Sequence, residues 1–286
     1  MEKNSKLFDA YYYTHDCGAP YERNDHWLSF FGGIAERIVA DLSPKTVLDA
    51  GCAKGFLVET LRDKGIDTWG VDISEYAISQ VYDPIKPYCK VGSIIEPFGQ
   101  KYDLIVTIEV VEHMCKEDAE KAIANLCDHT DVVLFSSSPN DFRETTHFNV
   151  QQPEFWTREF ARHGFFRDLD FDATFVIPWA MLFRKSSPAP SQLVYAYERK
   201  QWLLAKENKD LRQVNVEQSQ RLRELEAKLD HDQRIQRLVD QLKSTQELLQ
   251  KAQAEIEAHD RGWNELFNSE DWKLMQEIQR IRGLND

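Results

Sequence analysis

The sequence predicts an α/β fold, a mostly parallel sheet with helices on both faces, followed by a long α-helical segment. Three observations carry that expectation. Residues 46–55, Thr-Val-Leu-Asp-Ala-Gly-Cys-Ala-Lys-Gly, begin as an apolar run, turn at glycines and lead into 56–64, where Leu57, Val58 and Leu61 recur at helical spacing. Further apolar runs at 68–73, 102–108 and 131–137 read as strands, the second nearly all apolar, as a strand covered on both faces should be. Beyond residue 191 the composition changes, and 192–260 holds no Gly or Pro while being rich in Leu, Gln, Glu, Lys and Arg.

A chain of 286 residues with 42% hydrophobic side chains can bury one α/β core and still have a large piece left over. The net charge is −13, and residues 1–192 alone carry 19 Lys+Arg against 30 Asp+Glu. Such a surface repels phosphate backbones, so no nucleic-acid partner is expected. Cys17, Cys52, Cys89, Cys115 and Cys127 are odd in number, widely spaced and free of any C-x-x-C pair. They read as reduced thiols of a cytoplasmic protein, not as a disulfide frame or zinc site. Neither a signal peptide nor a transmembrane segment is expected, for want of a basic start before an apolar stretch and of a long apolar run.

The loop at 51–55 narrows the chemistry. Gly51 and Gly55 let the backbone pass close to a ligand, and the helix behind them offers unpaired N–H groups. A G-x-G-x-x-G dinucleotide loop is not present, because Cys52, Ala53 and Lys54 separate the two glycines. The run Asp-Ala-Gly-Cys-Ala-Lys-Gly instead resembles motif I of the class I S-adenosylmethionine (SAM) methyltransferases, D-x-G-x-G-x-G, with Ala53 in place of the middle glycine. The resemblance implies a Rossmann-like, seven-stranded sheet with SAM against Asp49, Gly51, Ala53 and Gly55. Asp72 closes the next strand 21 residues beyond Gly51, where such folds place an acid for ribose hydroxyls. Asp72 and the adjoining Ile73 are therefore cofactor candidates; the alternative for Asp72 is an acid capping the helix that starts near Ser74.

Upstream, residues 1–30 are rich in aromatics, too polar for a strand and too turn-rich for a helix. In related methyltransferases a segment of this kind covers the cofactor, which makes His15, Tyr21 and Arg23 pocket candidates; plain packing of the aromatics is the alternative. A helix is expected over 25–41. After Asp72 a helix with Tyr76, Ala77 and Ile78 should close at Pro84 and Pro87, with a third strand at 88–94. By resemblance, Ser93 and Ile94 would touch the adenine.

The fourth strand, 102–108, runs into Glu109-Val-Val-Glu112-His113-Met. Many SAM methyltransferases carry a similar E-V-L-E-H here. In the ubiquinone-pathway O-methyltransferases and the small-RNA 2′-O-methyltransferases, the two glutamates, this histidine and a second one downstream bind a divalent cation. Here the second is His147, in the loop after the fifth strand. Positions 109, 112 and 113 share one face as the chain turns into a helix, and carboxylates with imidazoles suit Mg²⁺, Mn²⁺ or Zn²⁺. A metal held by Glu109, Glu112, His113 and His147 would polarise an acceptor hydroxyl. On the other reading Glu112 caps the helix, His113 is a hydrogen-bonded pocket residue and His147 is a general base. Under both, Glu112, His113 and His147 serve catalysis, with Glu109 beside the cofactor.

Arg143 and Asn149 lie in the same loop, at the sheet edge where ligands bind, with ordinary loop polarity as the alternative. A helix over 153–163 and strands near 167–176 and 180–184 complete a domain spanning 1–187. The phrase H-F-N-V-Q-Q-P-E-F-W resembles the ubiquinone group, so the resemblance covers 1–185.

A Pro/Ser linker (188–192) then leads to a coiled-coil helix at 193–260, on the order of 100 Å long. Leu222, Leu225 and Leu229 set a heptad seam, and Ile235, Leu238, Leu242, Thr245, Leu249, Ala252 and Ile256 continue it after a one-residue phase slip. A homo-oligomer follows, folding back on the domain being the alternative. Gly262 should end the helix, and 261–286 should hold a short amphipathic helix able to dock on a protein partner or a membrane surface. A methyltransferase domain with such a coil resembles enzymes of bacterial surface-glycan clusters. We therefore expect SAM-dependent O-methylation of a glycan hydroxyl or phosphate, with a small phenolic or acidic metabolite as the alternative acceptor. A coiled-coil scaffold with a weakened SAM site is the third reading.

Overall fold

The computed structural model describes residues 7–17, 19–228 and 233–268. Contacts divide the chain into two units, Met1–Gln201 and Trp202–Asp286. The first is built on a seven-stranded sheet of order β3-β2-β1-β4-β5-β7-β6. Its strands are β1 (Thr46–Ala50), β2 (Asp67–Asp72), β3 (Cys89–Val91), β4 (Leu104–Ile108), β5 (Val132–Ser136), β6 (Phe165–Arg167) and β7 (Met181–Lys185). Strands β1 to β5 pair in parallel, while β7 runs antiparallel to both β5 and β6. The helices of this unit are α1 (Ala10–His15), α2 (Asp25–Leu42), α3 (Phe56–Asp63), α4 (Glu75–Ser79), α5 (Lys116–His129) and α6 (Pro153–Arg162).

Both faces of the central strands are buried, which is why their sequences are continuous apolar runs. One face packs with Ala119, Ile123 and Leu126 of α5 and Trp156 and Phe160 of α6. The other packs with Ile34 and Ile38 of α2 and Leu57 and Leu61 of α3. The order of the parallel strands reverses between β1 and β4, so their carboxyl ends diverge into a crevice. Gly51 and Glu109 stand at that crevice.

Several expected boundaries move. The segment before residue 17 contains a helix, α1, because Asp9 accepts the N–H groups of Tyr11 and Tyr12 and caps it. The third strand shrinks to Cys89–Val91, preceded by a 3-10 turn at Lys86–Tyr88. The strand expected near 167–176 is instead the short β6, and much of 168–180 is irregular. There Asp168 accepts the N–H groups of Asp170 and Phe171, and Asp172 accepts from Thr174 N and Oγ1, local turns that outcompete a ladder.

Beyond the sheet, α7 (Pro190–Lys228) has 39 residues and α8 (Gln233–Asn268) has 36. Helix α7 begins inside the expected linker. Helix α8 runs through Gly262, which was expected to stop it; one glycine costs a helix only about 1 kcal/mol, and no proline follows it. Of the span 261–286, where a short amphipathic helix was expected, residues 269–286 lie outside the described residues. Among the described residues, no helix is long and apolar enough to cross a membrane.

Candidate active site

The site grows out of two loops at the carboxyl ends of β1 and β4. Gly51 (φ 94°), Ala53 (φ 46°) and Gly55 (φ 75°) are all left-handed, the alanine included. A methyl on Gly51 would collide with Val110 Cγ2 and sit at a positive φ, so a side chain there is strained. The loop is tied to β2 by Asp72, whose Oδ2 accepts the Ala53 N–H at 2.8 Å and whose Oδ1 accepts the Ser74 N–H at 2.8 Å. Ser74 in turn caps α4 through the Ala77 N–H. The cap foreseen for Asp72 is therefore supplied by Ser74, with Asp72 buried behind it and lining the crevice. Burial raises the Asp72 carboxyl, against the pull of those two N–H groups. Burial and the neighbouring Asp72 charge push Asp49 up to about 8.

Asp49, Gly51, Ala53 and Asp72 line a cavity of about 570 Å³ together with Tyr21, Ile73, Ser93, Ile94, Glu109 and His113, whereas Gly55, foreseen beside the cofactor, is not in its wall and faces Cys89 and Ile85. Aromatic side chains of α1 and α2, among them Tyr12, Phe30 and Phe31, form much of its remaining wall. Ser74 Oγ donates to the Phe8 carbonyl at 2.6 Å, fastening the segment before α1 over the cofactor loop.

The loop after β4 does not become an α-helix at once. Glu109 adopts φ 53°, and Val111–His113 form a 3-10 turn. Glu109 stays beside the Glu112 carboxyl but stands outside the set of converging ligand atoms. Its Oε1 accepts the Trp179 Nε1–H at 2.9 Å. The foreseen quartet resolves into a trio, with one ligand atom each from Glu112, His113 and His147 lying within 4.8 Å of one another.

A fourth residue, Glu144, organises this trio. Its Oε2 lies 3.0 Å from His147 Nε2 and 3.7 Å from His113 Nδ1. Its Oε1 accepts the Thr146 hydroxyl at 2.6 Å. With its proton committed to Glu144, Thr146 Oγ1 accepts from His113 Nδ1 at 2.8 Å. That assigns the His113 proton to Nδ1 and leaves a lone pair on Nε2, which receives the Tyr12 hydroxyl at 3.4 Å. Burial and the His147 charge lower His113 to about 4, so it is neutral. His147 is the opposite case: burial works against its charge, yet the bond to Glu144 and the Asp141 carbonyl at Nδ1 lift it to about 9. Burial alone would raise Glu144, but hydrogen bonds from His147 and Thr146 hold it at about 2. Glu112 is fully buried, and burial with the Glu109 charge pushes it up to about 8.

A family model described as a methyltransferase domain matches residues 21–169, just over half of the chain. The chain belongs to this methyltransferase family. Among curated proteins, the ubiquinone biosynthesis O-methyltransferase of Coxiella burnetii is 34% identical over 91 residues, covering 29% of this chain and 38% of that protein. The protein of the same name from Neisseria meningitidis is 29% identical over 122 residues, 39% of this chain and 51% of the other. The chain thus spans from about two fifths to half the length of these relatives. Among solved structures, the magnesium protoporphyrin IX methyltransferase of Synechocystis with bound SAM has a TM-score of 0.47 at 16% identity, covering 64% of this chain and 97% of that one.

Within the methyltransferase domain, some foreseen residues stand apart from the cavity. Arg23 grips Glu59 with Nε and Nη2 at 2.6–3.1 Å and lies 4.1 Å over the Tyr82 ring. His15 stacks on Tyr11, and Arg143 is exposed. Asn149 is buried and donates its backbone N–H to the Glu112 carbonyl, so it fastens the loop from behind. Reading along the sequence missed Tyr12, Glu144, Thr146 and Trp179. Only Glu144 left a trace there, standing three residues before His147.

Proposed function

We propose that the chain transfers the methyl group of SAM to a hydroxyl oxygen, with residues 1–187 as the catalytic domain. The observation that carries this reading is His113, neutral and with its Nε2 lone pair at the cavity that Gly51 and Asp72 also line. SAM supplies an electrophilic sulfonium methyl. Asp72, held by two backbone N–H groups, keeps lone pairs free for ribose hydroxyls, and the Gly51 backbone lines the same cavity, where the methionine portion would lie. Asp49 offers a second buried acid, ready to ionise beside a cation. His113 Nε2 accepts the acceptor hydroxyl where the Tyr12 hydroxyl now sits, aiming an oxygen lone pair at the methyl carbon; as the C–O bond forms and the sulfonium C–S bond breaks, S-adenosylhomocysteine leaves and the hydroxyl proton passes to Nε2. His147, charged at neutral pH through Glu144, is unsuited to be the base, so the positioning role falls to His113.

The ligand atoms of Glu112, His113 and His147 also converge as for a divalent cation such as Mg²⁺ or Mn²⁺, which would have to displace the protons that Glu112 and His147 carry at neutral pH. Glu112 Oε2 is buried without a hydrogen-bond partner, and the three ligand atoms converge. Such an ion would lower the pKa of the acceptor hydroxyl. Titration of Mn²⁺ into the cofactor-free protein should release heat that Glu112→Gln loses; no heat in the wild type removes the metal from this reading.

The acceptor we propose is a sugar hydroxyl of a bacterial surface glycan, a reading supported by the long helical extension beyond the domain. A small phenol is the second reading, favoured by the aromatic cavity wall and by the names of the curated relatives. Transfer of labelled methyl to oligosaccharides or to free phenols separates them. Calorimetry with S-adenosylhomocysteine tests the reaction class. Binding should weaken by about 100-fold in Asp72→Ala, and failure of the wild type to bind leaves only a scaffold.

A further inference from the structure

We propose that α7 pairs with α7 of a second copy as a parallel, in-register, two-stranded coiled coil. The inference rests on the coiled-coil reading of the C-terminal helices and is independent of methyl transfer. From Val194 to Leu225 one strip of α7 advances by alternating steps of three and four without interruption. Its a positions are Val194, Gln201, Asn208, Asn215 and Leu222, and its d positions are Tyr197, Leu204, Leu211, Gln218 and Leu225. The apolar members from Tyr197 onward are each between 45% and 57% exposed, so this strip is bare along the helix. A helix gains little from presenting such a strip to water.

The four amides decide what covers it. Buried in an apolar seam, each would cost free energy unless it met a hydrogen-bond partner. A carboxamide carries both donors and an acceptor, so an identical amide across a two-fold axis is a complete partner. In a parallel, in-register pair every a residue faces itself, as does every d residue. Gln201, Asn208, Asn215 and Gln218 then each meet their own counterpart, and Leu204, Leu211, Leu222 and Leu225 likewise. Sliding one helix by a heptad sets Asn215 against Leu222 and Gln218 against Leu225. Reversing it sets a against d, and the register that joins Asn208 to Gln218 leaves Asn215 facing Leu211. Asparagine at a positions also favours two strands. The flanks agree. Glu207, before an a position, faces Arg212 of the other copy, after a d position, whereas Lys200 faces Ala205 and meets no like charge.

The test uses the full chain, with its mass read by light scattering and its register by cysteine trapping. We expect twice the 33.4 kDa chain mass. In a Cys115→Ser background, Asn208→Cys should cross-link to itself when air and copper-phenanthroline oxidise the paired thiols. Leu204→Glu with Leu211→Glu should run as a monomer while binding S-adenosylhomocysteine as the wild type does, which keeps failure of the coil distinct from failure of the cofactor site. A wild type that is monomeric at micromolar concentration, or has a trimer's mass, overturns the proposal. So does Asn208→Cys cross-linking only to Gln218→Cys when the two variants are mixed.

Discussion

Glu144 sets the charge state of the site. Its folded value of about 2 lies below the ordinary 4.5, so the stability it contributes is present above that ordinary value and lost as pH falls through about 2. His147 has the opposite sign: its contribution is complete below 6.5 and lost as pH rises through about 9. The pair is therefore at full strength between about 4.5 and 6.5. Raising the pH from 6 to 9.5 should lower the wild-type melting temperature by a few degrees, and Glu144→Gln should flatten that slope. An unchanged slope in the variant would remove the pair from the stability account. The His147 charge also helps to hold His113 near 4. In His147→Asn, the His113 pKa should rise toward 6.5 but stop short of it, because burial is the larger cause; two-dimensional NMR of the imidazole would report this directly. His113→Ala should cost about 10²- to 10⁴-fold in kcat while leaving S-adenosylhomocysteine affinity nearly intact, a split that a merely structural role would not give.

At the scale of the elements, the turn from β1 into α3 is over-determined. Gly51 needs both its positive φ and the absence of a Cβ, with Val110 of the β4 loop pressed against it. Gly51→Ala should destabilise the domain by about 1–3 kcal/mol and abolish cofactor binding, measured by denaturant melts and calorimetry. Because Val110 sits next to Glu109, the clash would be felt at the catalytic loop as well. The N-terminal segment is the element least like its expectation. Helix α1 is too short to persist alone, and what holds it is tertiary: the Ser74 bond to the Phe8 carbonyl, Tyr12 against His113 and Tyr13 packed beside Tyr21 and Tyr76. Phe8, Tyr12 and Tyr13 therefore join the β1–α3 loop and His113 into one enclosure.

For the molecule as a whole, the parallel strands carry the β1 and β4 loops to one edge, where residues from distant parts of the sequence meet in one cavity. The net charge of −13 makes a simple forecast: neither single- nor double-stranded RNA should shift in a gel at physiological salt. The strand, loop and helix at 46–64, the acid at 72 and the E-x-x-E-H run were legible in the sequence, because each is a local pattern whose period or spacing reflects its own backbone. So was the helical character beyond residue 190, described over Pro190–Lys228 and Gln233–Asn268, though not the passage through Gly262, since propensity sums over many residues and one glycine does not decide it. The local turns of Asp168 and Asp172 were misread as strand, because apolar residues between acids imitate a period of two. What only the tertiary structure decided is which of the foreseen groups act together. Glu109 accepts from Trp179 while staying beside Glu112, Arg23 is spent on Glu59, and Glu144, Thr146 and Tyr12 are brought to the histidines. The physical reason is that ionisation and tautomer follow from burial and from partners across the fold, and those are fixed only once the loops have packed.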